Sequence, residues 1–301
     1  MNKNILVTGI EGFIGSNFAL QAKKKNFNVI GLKWTKVNWN ADEYKNYLYK
    51  ITKDIELESV VHFGAIASTS FIDKQILYGF NVEAVQVIAD FCALRNTPLI
   101  FTSSAAVYGN ADNNLSPYAQ TKMKGELILK NTSSLKFVAL RLFNTYGFNE
   151  IEKKDMKSII SDMIISGLKS KKISIWKFGD VQMGSQSRDF INVLDVNDII
   201  LSLITSSTYL NETLDLGSGQ SYKFIDIANF IASLDREIVI ELIDPPIEYD
   251  RNYYQEYTCA DMSWLKTFDK GIEPIAPYKK IPELIEQYRT ILNYRNMLEL
   301  K

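Results

Sequence analysis

An α/β fold, a doubly wound parallel sheet followed by a smaller α/β lobe, is predicted by three observations. Short β-type runs alternate with helical patterns over the first hundred residues. The first of these runs ends in a turn with three evenly spaced glycines that leads straight into a helix. The chain has 301 residues, enough to bury a large core without metals or disulfides.

Ile5-Leu6-Val7 is the first buried strand, Gly9 to Gly15 the turn, and Ser16 to Lys25 a helix. Asn28 to Leu32, Ser59 to Phe63 and Leu99 to Thr102 are further strands, and Val37 to Asp42 is the best candidate for one more. Between them Ile76, Leu77, Phe80, Val85, Ile88, Ala89 and Cys92 give Asp73 to Arg95 the stripe of a long amphipathic helix. Pro117 opens a helix to Lys130, followed by a strand from Phe137 to Phe143. Beyond Gly147 a helix is expected from about Met156 to Leu168, and a strand from Ile173 to Trp176. A strand from Arg188 to Val193 comes next, then a helix opened by Asp195 and Asp198. Further helices are expected from Phe224 to Leu234 and from Pro282 onward. The organisation predicted is residues 1–150 as a dinucleotide-binding domain, with 188–208 returning to it. Residues 151–187 and 209–301 then form a substrate-binding lobe.

With 34 basic and 35 acidic side chains the formal charge is −1, which leaves no basic footprint for a nucleic-acid partner. No uninterrupted apolar run reaches the length of a bilayer span, and the first strand is too broken by Thr8, Gly9, Glu11 and Gly12 to be a signal peptide. Two widely separated cysteines, Cys92 and Cys259, match no metal spacing and imply a reduced, cytoplasmic setting. The single histidine, His62, is read as structural, so neither a metal centre nor a serine–histidine triad is expected.

Thr8-Gly9-Ile10-Glu11-Gly12-Phe13-Ile14-Gly15 places glycines at i, i+3 and i+6 between a strand and a helix. The first allows the tight turn, the second close approach of a pyrophosphate, and the third close helix–strand packing. That is a Rossmann-type dinucleotide cradle. The end of the second strand, where an acid would grip the adenosine ribose hydroxyls, carries Lys33 instead. An ammonium attracts a 2′-phosphate, so NADP is the expected cofactor and NAD the alternative; a Lys33 that simply faces solvent would leave the choice elsewhere.

Tyr118-Ala-Gln-Thr-Lys122 puts a phenol and an ammonium on one helical face. Lowering a tyrosine from about 10 to near 7 needs about 4 kcal/mol of differential stabilisation, which a charge pair and a bound nicotinamide can supply. Such a phenol can take a hydroxyl proton as hydride leaves the same carbon. Ser104, in the run Ser103-Ser104-Ala105-Ala106-Val107-Tyr108-Gly109, is placed to orient the reacting oxygen.

With these motifs in this order the chain resembles the extended short-chain dehydrogenases/reductases that act on nucleotide sugars. Val61-His62-Phe63-Gly64-Ala65, Asn81, Arg141-Leu-Phe-Asn144-Thr-Tyr-Gly147, Arg188-Asp189-Phe-Ile and Leu216-Gly-Ser-Gly219 extend the likeness over nearly the whole chain. The resemblance implies that Gly9, Gly12, Phe13, Ile14, Gly15, Lys33, Phe63, Gly64, Ala65, Asn81 and Lys122 hold the cofactor. It also implies that Asn144 touches the sugar nucleotide and Arg188 its diphosphate, although Arg188 could instead pair with Asp189. Within the family the likeness is closest to nucleotide-heptose epimerases. Ser68 and Thr69 resemble their substrate loop, and Tyr254-Gln255 to Asp261 resembles their C-terminal substrate segment. Lys153 and Met156 align with a lysine and methionine of those enzymes, the lysine being a second base on the opposite sugar face. The bland reading of Lys153 is a solvated charge in Glu152-Lys153-Lys154-Asp155.

The resemblance implies a nucleotide-diphosphate sugar substrate, epimerised through a transient ketone, and a homodimer formed through a four-helix bundle. A net 4-dehydrogenase, a 4-ketoreductase or a 4-epimerase is the alternative enzyme. A dehydratase is disfavoured because Ala105 and Ala106 stand where its acid/base pair would be. A non-catalytic dinucleotide-binding regulator would not need Ser104, Tyr118 and Lys122 together.

Overall fold

A computed structural model describes residues 3–33, 39–67, 73–110, 112–177, 186–245, 253–269 and 271–299. In chain order the strands and helices are β1 (Asn4–Thr8), α1 (Phe13–Lys24), β2 (Asn28–Leu32), α2 (Ala41–Ile51), β3 (Ser59–His62), α3 (Lys74–Tyr78), α4 (Ala84–Leu94), β4 (Leu99–Ser104), α5 (Pro117–Asn131) and β5 (Phe137–Leu142). They continue with β6 (Thr145–Tyr146), α6 (Ile159–Ser170), β7 (Lys172–Trp176), β8 (Ser187–Asp189), β9 (Ile191–Asn192), α7 (Val193–Thr205), β10 (Glu212–Leu216), β11 (Ser221–Lys223), α8 (Phe224–Leu234), β12 (Val239–Ile243), α9 (Ser263–Phe268) and α10 (Pro277–Glu299).

The chain divides into two compact units, 1–142 with 196–216, and 143–195 with 217–301. In the first, six parallel strands form one sheet in the order β10-β5-β4-β3-β1-β2. Ile5, Leu6, Val7, Val60, Val61, Leu99, Ile100 and Phe101 are all fully buried. Helices cover both faces, which is why these strands read as continuous apolar runs rather than alternating ones. The chain leaves β1 toward β2 and then crosses back to β3, so the switch point of the sheet lies between β1 and β3. A crevice at the carboxyl ends of these two strands follows from that order.

The long helix forms as expected, with one refinement. A π-helical turn, Gly79–Glu83, joins α3 to α4. Helix Lys74–Leu94 would suffice by length and composition to cross a membrane, but most of it is buried, and Ala84, Val85, Ile88, Ala89, Phe91 and Cys92 belong to the unit's own core.

Several boundaries move. Residues 37 and 38 of the expected extra strand lie outside the described residues, and from Ala41 the chain is helical, so β2 is the edge of the sheet. Asn40 caps α2 by accepting from the Glu43 N–H, and Asp42 and Glu43 in its first turn favour the helix dipole. The segment that returns to the first unit is 196–216, not 188–208, because β10 adds beside β5. Arg188 instead pairs within the second unit, where β8 runs antiparallel to β11, and residues 143–150 also belong there. Helix α7 begins at Val193, its first turn fixed by Asn192 accepting from the Leu194 N–H at 3.0 Å, so Asp195 lies inside the helix. Helix α6 starts at Ile159 behind the cap Ser158, with a 3₁₀ turn at Glu150–Met156 before it. Helix α10 starts at Pro277, five residues before Pro282, which is accommodated inside it. The second unit has its own core of Ile160, Met163, Ile164, Phe190, Ile227, Ile231, Leu284 and Tyr288, beside the paired strands β7–β12 and β6–β9.

Candidate active site

The cradle follows β1 directly. Gly9 takes φ +64°, and a Cβ there would come within 2.7 Å of the Gly64 nitrogen. At Gly15 a Cβ would stand 2.2 Å from the Gly9 carbonyl oxygen, so the helix start and the turn touch in a way only glycine allows. Gly12 is the N-cap of the 12-residue α1, with no side chain capping it and no acid in its first turn. Its N-terminal N–H groups therefore remain available to an anion. Phe13 is buried and Ile14 half-buried in that first turn.

The loop after β3 forms the other wall. Thr8 Oγ1 accepts from the Gly64 N–H at 3.0 Å and meets His62 Nδ1 at 2.7 Å, which ties β1 to β3. His62 is buried and stacked on Phe101, and burial, aided by the Lys122 charge, pulls it down to about 3. It is a neutral structural residue. Asn81, carried on the π turn, accepts from the Ile66 N–H at 2.8 Å and donates to the Ile66 carbonyl and to Thr121 Oγ1. Both of its amide hydrogens are committed, so Asn81 shapes the Phe63-Gly64-Ala65 loop by holding Ile66. Between the walls lies a cavity of about 320 Å3, lined among others by Gly9, Glu11, Gly12, Lys33, Phe63 and Gly64. One side is aromatic: Trp39 packs on Tyr44 and Phe80, each ring centroid 5.1 Å away, and donates Nε1–H to Glu83. Lys33 is exposed and pairs with Glu11 at 2.8 Å.

Ser104 ends β4, and its hydroxyl accepts from the Ala106 N–H, turning the chain into a 3₁₀ segment. Ser116 caps α5 with Pro117 in the first turn, which sets Tyr118 and, one turn on, Lys122 facing β4. Gly125 permits that closeness, since a Cβ there would lie 2.8 Å from the Phe101 ring. Lys122 is buried; its ammonium donates to the Thr102 carbonyl at 2.7 Å and stands 5.9 Å from the Tyr118 ring centroid. Burial pushes Tyr118 up to about 12, against a hydrogen bond with Ser104 that lowers it. Burial draws Lys122 down to about 7, against the Glu126 carboxylate that raises it.

This reverses the expected electrostatics. Burial opposes charge on both groups, raising the phenol and lowering the amine, whereas the charge pair alone would have lowered the phenol.

Glu126 was not singled out from the sequence, although its place one turn beyond Lys122 is visible there. It is buried, accepts from Ser103 Oγ at 2.5 Å, and takes both Nε and Nη2 of Arg141 at 2.9 and 2.8 Å. Arg141 also lies over the Tyr108 ring, whose hydroxyl donates to Asp215 at 2.7 Å.

The other expected residues lie in the second unit. Asn144 donates to the Asp189 carbonyl at 2.7 Å and to Thr258 Oγ1 at 3.3 Å. Arg188 is buried, flanked by Tyr254 and Phe224 with ring centroids 5.0 and 5.7 Å from its guanidinium carbon. The Asp189 carboxylate accepts from Ser218 N–H and Oγ–H at 2.6 and 2.7 Å, and from the N–H groups of Gly219 and Ala260 at 2.9 and 3.0 Å. Those donors, rather than a pair with its neighbour Arg188, account for the buried Asp189. Lys153 stands on the 3₁₀ turn 3.7 Å from Glu150, a fully buried carboxylate that also takes the Ser158 N–H and the hydroxyls of Ser158 and Ser161. Ser68 and Thr69 lie outside the described residues.

A profile of the NAD dependent epimerase/dehydratase family matches residues 5–217. The ADP-L-glycero-D-manno-heptose-6-epimerase of Brachyspira hyodysenteriae is 27 % identical, over 96 % of this chain and 97 % of that protein. Among solved structures, the ADP-L-glycero-D-manno-heptose-6-epimerase of Helicobacter pylori superposes with a TM-score of 0.79 at 19 % identity, covering 95 % of this chain and 96 % of the other. The UDP-glucose 4-epimerase of Thermus thermophilus, in complex with NAD, gives 0.76 at 20 % identity, covering 95 % and 99 %. At those identities the two structures speak for the fold.

Proposed function

The chain belongs to the NAD dependent epimerase/dehydratase family, and within it we propose a nucleotide-sugar epimerase that works through a transient keto-sugar. The observation that carries this reading is that one unit holds Ser104, Tyr118 and Lys122 together at the carboxyl end of β4, and a glycine cradle made to approach a pyrophosphate at the carboxyl end of β1. A bound nicotinamide dinucleotide supplies the hydride acceptor and, later, the hydride donor. All proton handling falls to the protein. Tyr118 takes the proton of the sugar hydroxyl while Ser104 orients that oxygen, and Lys122 shares the proton gained. On the way back a protein group returns a proton to that oxygen, and reduction of the ketone from its other face would invert the carbon.

The similarity to a heptose epimerase over nearly the full length of both chains supports a nucleotide-activated heptose as substrate. Arg188, held between Tyr254 and Phe224, is assigned to the diphosphate, since a guanidinium matches phosphate oxygens two at a time. Asn144, Ser68 and Thr69 are assigned to the sugar nucleotide, and Lys153, oriented by Glu150, to the proton on the opposite face. Lys33 argues for NADP and its partner Glu11 against it. Both cysteines are free thiols, in keeping with a reduced, cytoplasmic setting.

The reading is tested by turnover without added cofactor. Purified protein should epimerise a nucleotide-activated heptose with no net change in nicotinamide absorbance, whereas a stoichiometric change would mark a net dehydrogenase. Lys153→Ala should lower epimerisation about 10²-fold or more while leaving oxidation on the tyrosine side within about threefold. Full epimerisation by that variant would remove Lys153 from the mechanism.

A homodimer is part of this proposal. Helices α4 and α5 border a groove of about 910 Å3 lined by Val82, Ala93, Leu94, Leu127 and Ile128 among others. Leu94 is 76 % and Leu127 53 % exposed, apolar surface that pairing with the same helices of a second copy would cover. Light scattering at micromolar concentration should give twice the monomer mass. The double variant Leu94→Glu with Leu127→Glu should give the monomer mass; an unaltered mass would place the interface elsewhere.

A further inference from the structure

The end of β2 lacks the acid that would ordinarily meet an adenosine ribose, yet the cavity contains one. Among the described residues lining it, Glu11 is the sole carboxylate. Glu11 lies between Gly9 and Gly12, inside the cradle itself, and the strand end is pressed against that turn. A Cβ at Gly31 would meet Ile10 Cδ1 at 2.9 Å, and two residues on, Lys33 reaches Glu11 at 2.8 Å. The basic side chain that would recognise a 2′-phosphate therefore already has an anionic partner.

We infer that Glu11 is the specificity-determining residue of the dinucleotide site: its carboxylate accepts from the ribose hydroxyls, Lys33 serves as its counter-ion, and the preferred cofactor is NAD. This rests on the dinucleotide reading given above and adds the choice between its two forms. A free ribose offers two O–H donors, which a carboxylate satisfies and an ammonium cannot. A 2′-phosphate would arrive with about two negative charges beside a third, and among the described residues lining the cavity the one cation for it, Lys33, is held by Glu11. The pair is exposed on both sides, so neither substitution disturbs the core.

Calorimetric titration of the purified 301-residue chain, freed of nucleotide on charcoal, with NAD and separately with NADP decides the matter. The wild type should bind NAD at least about tenfold tighter, the effect of one unit charge a few ångströms from a phosphate in a half-solvated cleft. Glu11→Gln should narrow or invert that ratio by about tenfold, since it frees Lys33 and removes the repulsion. Lys33→Ala, which removes the one cation among the described residues lining the cavity, should widen that ratio rather than narrow it. A wild type that prefers NADP, or a Glu11→Gln variant with an unchanged ratio, overturns the inference. Binding of neither nucleotide would overturn the dinucleotide reading itself, and this inference with it.

Discussion

Tyr118→Phe should abolish sugar oxidation, by about 10³-fold or more, with dinucleotide affinity unchanged within about threefold. The loss lies in the upper part of the range for a positioned acid–base group because, among the described residues, no other phenol, imidazole or carboxylate bonds Ser104 to replace it. The substitution removes one oxygen from a buried ring whose hydroxyl bonds Ser104, so the fold should survive with a loss of about 1 kcal/mol. Calorimetry for the cofactor and a product assay for the sugar separate the two effects. Retained turnover would mean that the proton leaves by another route.

The second large effect concerns Lys122. Burial leaves Tyr118 near 12 and Lys122 near 7, so the first proton to leave the pair as pH rises does so around 7, from the amine. Below that pH the pair is full and cannot accept the sugar's proton; above it one place is open. The oxidation rate should therefore rise with pH through about 7 and then level. Lys122→Met fills the same space without a charge, keeps the fold, and removes the open place. Its rate near pH 7.5 should fall about 10²–10⁴-fold, with the rising limb displaced toward the tyrosine's own high value. An unchanged limb near pH 7 would show that another group sets it.

The cradle and the Ser104, Tyr118 and Lys122 trio were legible in the sequence because each depends on short spacings. Glycines at three-residue intervals, a proline at a helix start and a four-residue Tyr–Lys step carry their geometry with them. The sheet core was legible for the same reason, as strands covered on both faces are simple apolar runs. What was not legible depends on contacts between distant segments. Val37 to Asp42 alternates like a strand, but Asn40 and the acids after it favour a helix, and nothing local decides between them. The ion pair of Lys33 with Glu11 requires the end of β2 to meet the cradle turn. The commitment of Asn81 to Ile66 depends on a π turn, Gly79–Glu83, and on a contact fifteen residues back along the chain. The downward shift of Lys122 is a property of burial and could not be read from its distance to Tyr118 along the helix.

The central claim is that Tyr118 and Lys122 trade a proton with a sugar alcohol while bound nicotinamide takes its hydride. Stopped-flow absorbance at the reduced-nicotinamide band, after mixing the holoenzyme with a nucleotide-activated heptose, tests it most directly. The account predicts a transient rise and decay in the wild type and none in Tyr118→Phe. A transient of equal rate and amplitude in both proteins would contradict it.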